Sequence, residues 1–148
     1  MQKQIIINAC HDYFRNKINS LNVIINEVNE SANSESKSSA GDKHETAKAM
    51  MQLEREKLGT QLKEAEEQLA EFEKINFNKT FQKIDQGNLI QTDKGYFFIA
   101  GSVGKLIVDS QTVFVISNKS PLAIKFSGQK QSDTVLFNDV AYLIISIQ

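Results

Sequence analysis

FRNKINSLNVIINEV, residues 14–28, carries apolar side chains at Phe14, Ile18, Leu21, Ile25 and Val28. Steps of four, three, four and three gather these five on one side of an α-helix as a narrow seam. The stretch LGTQLKEAEEQLAEF, residues 58–72, repeats the pattern with Leu58, Leu62, Ala65, Leu69 and Phe72. A seam this narrow covers a single partner, and the nearest candidate is the other helix folded back against it. Helices rise equally per residue, so facing positions of a hairpin have residue numbers of constant sum. Phe14 with Phe72, Ile18 with Leu69, Leu21 with Ala65, Ile25 with Leu62 and Val28 with Leu58 all add to 86 or 87. Half of that is about 43, which places the turn at Gly41-Asp42-Lys43-His44-Glu45.

Toward that turn the seam shrinks to Ala32, Ser39, Ala40, Ala47 and Met51, so two helices can approach closely at a slim tip. From Phe14 to the turn an unbroken helix would reach on the order of 44 Å, at about 1.5 Å per residue. Such a projection is longer than so small a domain needs for its own core. The run Ser31 to Ser39 is rich in Ser and Asn, poor helix formers, and reads either as continued helix or as a linker.

Composition changes near residue 75. Up to Lys74 there is no proline and only Gly41 and Gly59; beyond it come Gly87, Gly95, Gly101, Gly104, Gly128 and Pro121. The expected organisation is therefore α+β, with a helical hairpin over 1–75 and a β-rich domain over 76–148. Strands are expected at Asn88–Thr92, Tyr96–Ala100, Lys105–Val108, Thr112–Ser117, Asp133–Phe137 and Ala141–Ile147. Ser120 to Phe126 reads as a short helix: Ser120 caps it, Pro121 takes its first position and Gly128 stops it. The last two strands close around Asn138-Asp139 as a hairpin. These signals predict an antiparallel sheet with one helix packed on it.

The bulk numbers exclude several classes. With 148 residues, 41% hydrophobic and 24% charged, the chain is a folded protein of one ordinary or two small domains. A net charge of −1 provides no global field for nucleic acid, so such contact would be local or delivered through a partner. No run approaches the roughly 20 apolar residues of a membrane span, and the first residues lack the apolar core of a signal peptide. The single Cys10 cannot form an internal disulfide, which fits the cytoplasm.

Two segments together are similar to a known family. Gly41-Asp42-Lys43-His44-Glu45-Thr46 resembles a Gly-Asp-x-x-Glu-Asn turn. Ile116-Ser117-Asn118-Lys119-Ser120-Pro121-Leu122-Ala123, running on through Gly128-Gln129-Lys130 to Asp133-Thr134-Val135, resembles an Ile-Ser-x-x-Ser-Pro-Ile/Leu-Gly, Gly-x-Lys and Gly-Asp-x-Val pattern. Both belong to the Gre family of transcript-cleavage factors, and the resemblance covers the whole chain. The chain departs from the pattern at Thr46, where the family has asparagine, at Ala123 and Ser132, where it has glycine, and at His44. These departures mark a divergent member.

The resemblance implies an antiparallel coiled coil followed by an FKBP-like domain. It also implies a protein that is not itself an enzyme, a cytoplasmic monomer with no membrane partner. Its partners would be RNA polymerase and, through the polymerase, the 3′ end of the nascent RNA. The hairpin would enter the polymerase secondary channel and stimulate cleavage of backtracked RNA, and Ser120, Pro121 and Leu122 would contribute to docking. Asp42 and Glu45 would be supplied to the polymerase active site, where they share a Mg²⁺ that neither holds tightly alone. Their residue types suit that role, because hard carboxylate oxygens match Mg²⁺. Two acids at a helix start also simply favour the positive end of its dipole.

Other residues admit blander readings. His44 could assist proton transfer or be an exposed polar residue. Arg55, Lys63 and Lys74 could guide RNA, but they alternate with Glu54, Glu56, Glu64, Glu66, Glu67 and Glu71, the pattern of a solvated, salt-laced face. Cys10 and His11 read as packing residues. Prolyl isomerisation, the enzyme alternative for an FKBP-like sheet, needs an aromatic-lined pocket. Phe97, Phe98, Phe114, Phe126, Phe137 and Tyr142 mostly have core spacing instead. A channel-occupying regulator that does not cleave, and a coiled-coil adaptor outside transcription, are the other two alternatives.

Overall fold

The computed structural model describes residues 1–36, 41–79 and 82–148; at 35–36 and 41–44 the description covers the backbone only. The architecture is α+β: two long helices, a six-stranded mixed sheet and one short helix. Helix α1 spans Lys3–Ser36 and α2 spans Gly41–Glu73. The chain divides into two compact units, residues 12–70 and residues 1–11 with 71–148. Packing thus groups the first turns of α1 and the end of α2 with the sheet, although composition changes near residue 75.

In the unit of residues 12–70, Leu21, Leu58 and Ala65 are buried, with Ile18, Ile25, Val28 and Leu62 packed against them. These are residues of the two seams. Since four residues separate the helices, their shared cluster requires α2 to run back along α1. Ser31–Ser36 continues α1, so the helical reading of that run holds as far as Ser36; 37–39 lie outside the described residues.

The turn expected at Gly41–Glu45 does not fall on those residues. Those five residues are helical and open α2; residues 37–40 lie outside the described residues. Halving the sums finds the turn only when both helices end at mirror positions. Gly and Asp suit a helix start, and α2 opens at Gly41.

The second unit holds the sheet, β1 (Leu89–Thr92), β2 (Gly95–Ile99), β3 (Gly104–Val108), β4 (Gln111–Ile116), β5 (Thr134–Phe137) and β6 (Val140–Ile147), with α3 (Pro121–Phe126). Strand order is β3-β4-β2-β1-β6-β5. One pair corrects the antiparallel expectation: β2 and β4 are parallel, with Phe97 beside Phe114. Gly101 to Gly104 does not fold β3 back beside β2. It carries the chain to the sheet edge, and β4 returns between them. Turn residues mark where a chain reverses but not which strand lies alongside.

Phe97, Phe98 and Ile99 are all buried, which an alternating strand allows only if both sheet faces are covered. On one face Ile84, Ile90, Phe97, Ile99, Ala123, Phe126, Val135 and Ile144 form the main core. Toward the other, Phe98 meets Phe77 at 5.6 Å between ring centroids, and Phe77 meets Phe72 at 5.1 Å. Ile6, Ile7 and Cys10 are buried in the same unit. Gly87 has φ +91°, and a Cβ there would stand 3.1 Å from Cγ2 of Ile75 and 3.3 Å from the carbonyl oxygen of Asn76. Glycine therefore satisfies both the backbone and the space at this position.

Candidate functional site

The acidic pair stands at the opening of α2. Asp42 is the second helical residue and Glu45 follows three later. Residues three apart on a helix share a face, with Cβ atoms about 5–6 Å apart. Glu45 is exposed; the side chains of Asp42, Lys43 and His44 lie outside the described residues. The backbone thus puts two carboxylate-bearing positions on one face, next to a helix start whose free N–H groups favour negative charge. Such a pair could furnish part of a hard-cation shell, the remaining ligands coming from water or from a phosphate-bearing partner.

The second candidate is the start of α3. Ser120 has an extended backbone (φ −68°, ψ 148°), and its Oγ accepts the Ala123 N–H at 3.3 Å. Pro121 occupies the first turn, where no N–H is needed. Upstream, the Lys119 N–H donates to Ser117 Oγ at 3.2 Å, and the Ser120 N–H to the Ser117 carbonyl at 3.0 Å. Downstream, the Ser127 N–H donates to Ala123 O at 2.9 Å. Gly128 takes φ +79°, and its N–H reaches Ile84 O at 2.9 Å.

With Ala123 and Phe126 buried, the helical period turns Pro121, Ile124 and Lys125 outward, and all three are exposed. The docking residues read from the sequence therefore play different parts. Ser120 caps the helix, Leu122 packs against the core, and Pro121 faces out. Ile124 and Lys125, not singled out in the sequence, are exposed beside Pro121, as the inward spacing of Ala123 and Phe126 requires.

Cys10 and His11 pack as the blander reading had it, whereas Arg55 departs from the solvated face expected of it. Lys63 lies 4.0 Å from Glu67 one turn away, with both side chains exposed. Arg55 is half-buried with no hydrogen-bond partner for Nε, and it stands between Met51 and Leu58 at seam spacing. Cys10 is fully buried, and burial pushes its thiol up to about 12. The His11 ring stands edge-on to Phe72 at 5.0 Å, with Nδ1 3.8 Å from Glu73. Phe97 contacts Phe114, Phe126 and Tyr142 at 5.4–5.6 Å; Phe97 and Phe126 are buried, and Phe114 is exposed.

No protein-family model and no curated protein matches this chain at a significant level. Among the described residues, no helix is long and apolar enough to cross a membrane.

Proposed function

We propose that this protein is a divergent Gre-type elongation factor that binds RNA polymerase and stimulates cleavage of backtracked RNA by the polymerase itself. The observation carrying this reading is the acidic pair Asp42 and Glu45, three apart on the opening turns of α2, at the end of a long helical pair. At about 1.5 Å per residue, the 33 residues of α2 extend roughly 50 Å. A β-rich unit with the Ser-Pro helix supplies the separate element such a factor needs for docking on the outside of its partner.

In this mechanism the sheet unit docks through the α3 region, and the hairpin enters the secondary channel. Asp42 and Glu45 would hold a Mg²⁺ jointly with groups of the polymerase and RNA. A bound Mg²⁺ neutralises developing charge and makes its water more acidic. The contribution of this chain is two hard oxygen ligands, carried into the site on a helix that fixes their spacing.

The deciding experiment adds the protein to a stalled, backtracked elongation complex and follows RNA length. Shortening from the 3′ end that requires both polymerase and this protein is the expected result. Binding without shortening at any Mg²⁺ concentration would instead favour a regulator that occupies the channel. Failure to bind polymerase would remove the reading altogether.

A further inference from the structure

We propose that the outward ridge of α3, Pro121 and Ile124 with the flanking Lys119 and Lys125, docks on an acidic protein surface that offers an apolar depression for Ile124. This inference rests on the docking role proposed above for the same region and adds the chemistry of the partner.

A single exposed isoleucine is ordinary on any protein surface, so the 60% exposure of Ile124 decides nothing alone. Its electrostatic setting is more informative. From Ser110 to Ser132 the chain has three lysines and no acid. Lys130 has a carboxylate beside it, since its N–H donates to Asp133 Oδ2 at 2.8 Å. Lys119 and Lys125 are exposed and have no ion-pair partner among the described residues. Lys125, in the last turn of α3, favours the negative end of the helix dipole, but Lys119 lies before the helix and gains nothing there. Residues 76–148 contain seven Lys, five Asp and no Glu or Arg, so they carry +2 in a chain of −1. The sign of the ridge therefore matches that of residues 76–148 and opposes that of the whole protein.

Rigidity favours the same use. The Ser120 cap, Pro121 and the Gly128 tie to Ile84 hold the ridge in place before any partner arrives. Docking then costs little ordering. Nucleic acid is the competing occupant of two lysines. It is disfavoured because the ridge is aliphatic and presents no aromatic face for a base to stack on. An apolar centre with a charged rim is the anatomy of a protein interface.

The test titrates the full-length protein and its K119E/K125E variant against RNA polymerase core enzyme, by fluorescence anisotropy at low and high salt. The expected result is a Kd raised about tenfold or more at low salt, with a flatter salt dependence. I124D should lose at least as much affinity at both salt concentrations. Thermal melts report whether the variants fold; if K119E/K125E melts early, K119Q/K125Q replaces it, with a smaller rise expected. Wild-type binding with unchanged Kd in the folded variants overturns this inference and leaves the polymerase reading standing. Absence of wild-type binding overturns both. A parallel titration uses a single-stranded RNA oligonucleotide alone. If the wild type binds it and K119E/K125E does not, nucleic acid is the occupant and the proposal is wrong.

Discussion

The Nζ of Lys3 donates to the main-chain carbonyl of Phe77 at 2.9 Å, joining the first turn of α1 to the segment that follows α2. The same ammonium lies 3.3 Å from the carbonyl of Gln148. One side chain therefore holds two stretches of backbone that are remote in sequence from it and from each other. Lys3→Met keeps most of the stem and removes the donors. A hydrogen bond to a charged group contributes about 1.5–3 kcal/mol, discounted here because Lys3 is only half-buried. A loss of about 1–2 kcal/mol is expected. Urea unfolding checks it, and an unchanged midpoint would show that the carbonyls are equally well served by water.

Ile25 lies in the seam beside Leu21 and Leu62. Ile25→Asp puts an unpaired carboxylate there, at a cost of about 3 kcal/mol or more. Helical circular dichroism should fall at a lower temperature than in the wild type. Asn22→Asp, three positions earlier and exposed on α1, should leave the melt nearly unchanged. Equal effects at both positions would contradict the seam.

The buried thiol of Cys10 gives a pH prediction. Its folded value, about 12, lies above the ordinary 9.0. The folded state thus favours the protonated form. This contribution to stability is complete below about pH 9 and is lost as pH rises through the window up to about 12. Stability should fall with rising pH in that window, and Cys10→Val should flatten the slope. At pH 9 a thiol reagent should modify the unfolded protein quickly and the folded protein slowly. Rapid modification of the folded form would show that Cys10 opens to solvent.

Asp42→Ala and Glu45→Ala should each reduce cleavage stimulation by about tenfold or more while leaving polymerase binding almost intact. Both open α2, away from the seam residues that hold the hairpin. A metal that needs both oxygens makes the double variant little worse than either single one. Raising Mg²⁺ should partly restore the single variants by mass action. Additive losses without Mg²⁺ rescue would indicate that the two acids act independently of a shared ion.

The elements legible in sequence were those set by local periodicity and turn chemistry. Phe14 through Val28 and Leu58 through Phe72 revealed the helix pair because seam spacing depends on one helix at a time. Ser120, Pro121 and Gly128 delimited α3 because caps are local. Asn138 and Asp139 take φ 48° and 62° between paired Phe137 and Val140, the two-residue turn their side chains favour.

Long-range choices were not legible. The parallel pairing of β2 with β4 depends on which strand occupies the sheet edge, and no turn residue encodes that. Ile6, Ile7 and Cys10 look like any other helical apolar positions, so their membership in the unit of the sheet was hidden. At the candidate site, the order of Asp42 and Glu45 along the chain was legible. Their place inside α2 was not, because symmetry of the seam says nothing about where each helix ends.

The taper of the seam has a kinetic consequence. Large side chains from Ile18 to Val28 meet Leu58 and Leu62, whereas Ala32, Ala47, Met51 and the half-buried Arg55 line the distal stretch. The free energy of local opening should therefore be graded along the helices. Amide deuteration should proceed from the opening of α2 toward Leu21 and Ala65, whose N–H groups exchange only when the whole unit unfolds. Partner contact at the distal end would register first as slowed exchange in its outermost turns, a readout independent of any change in RNA length.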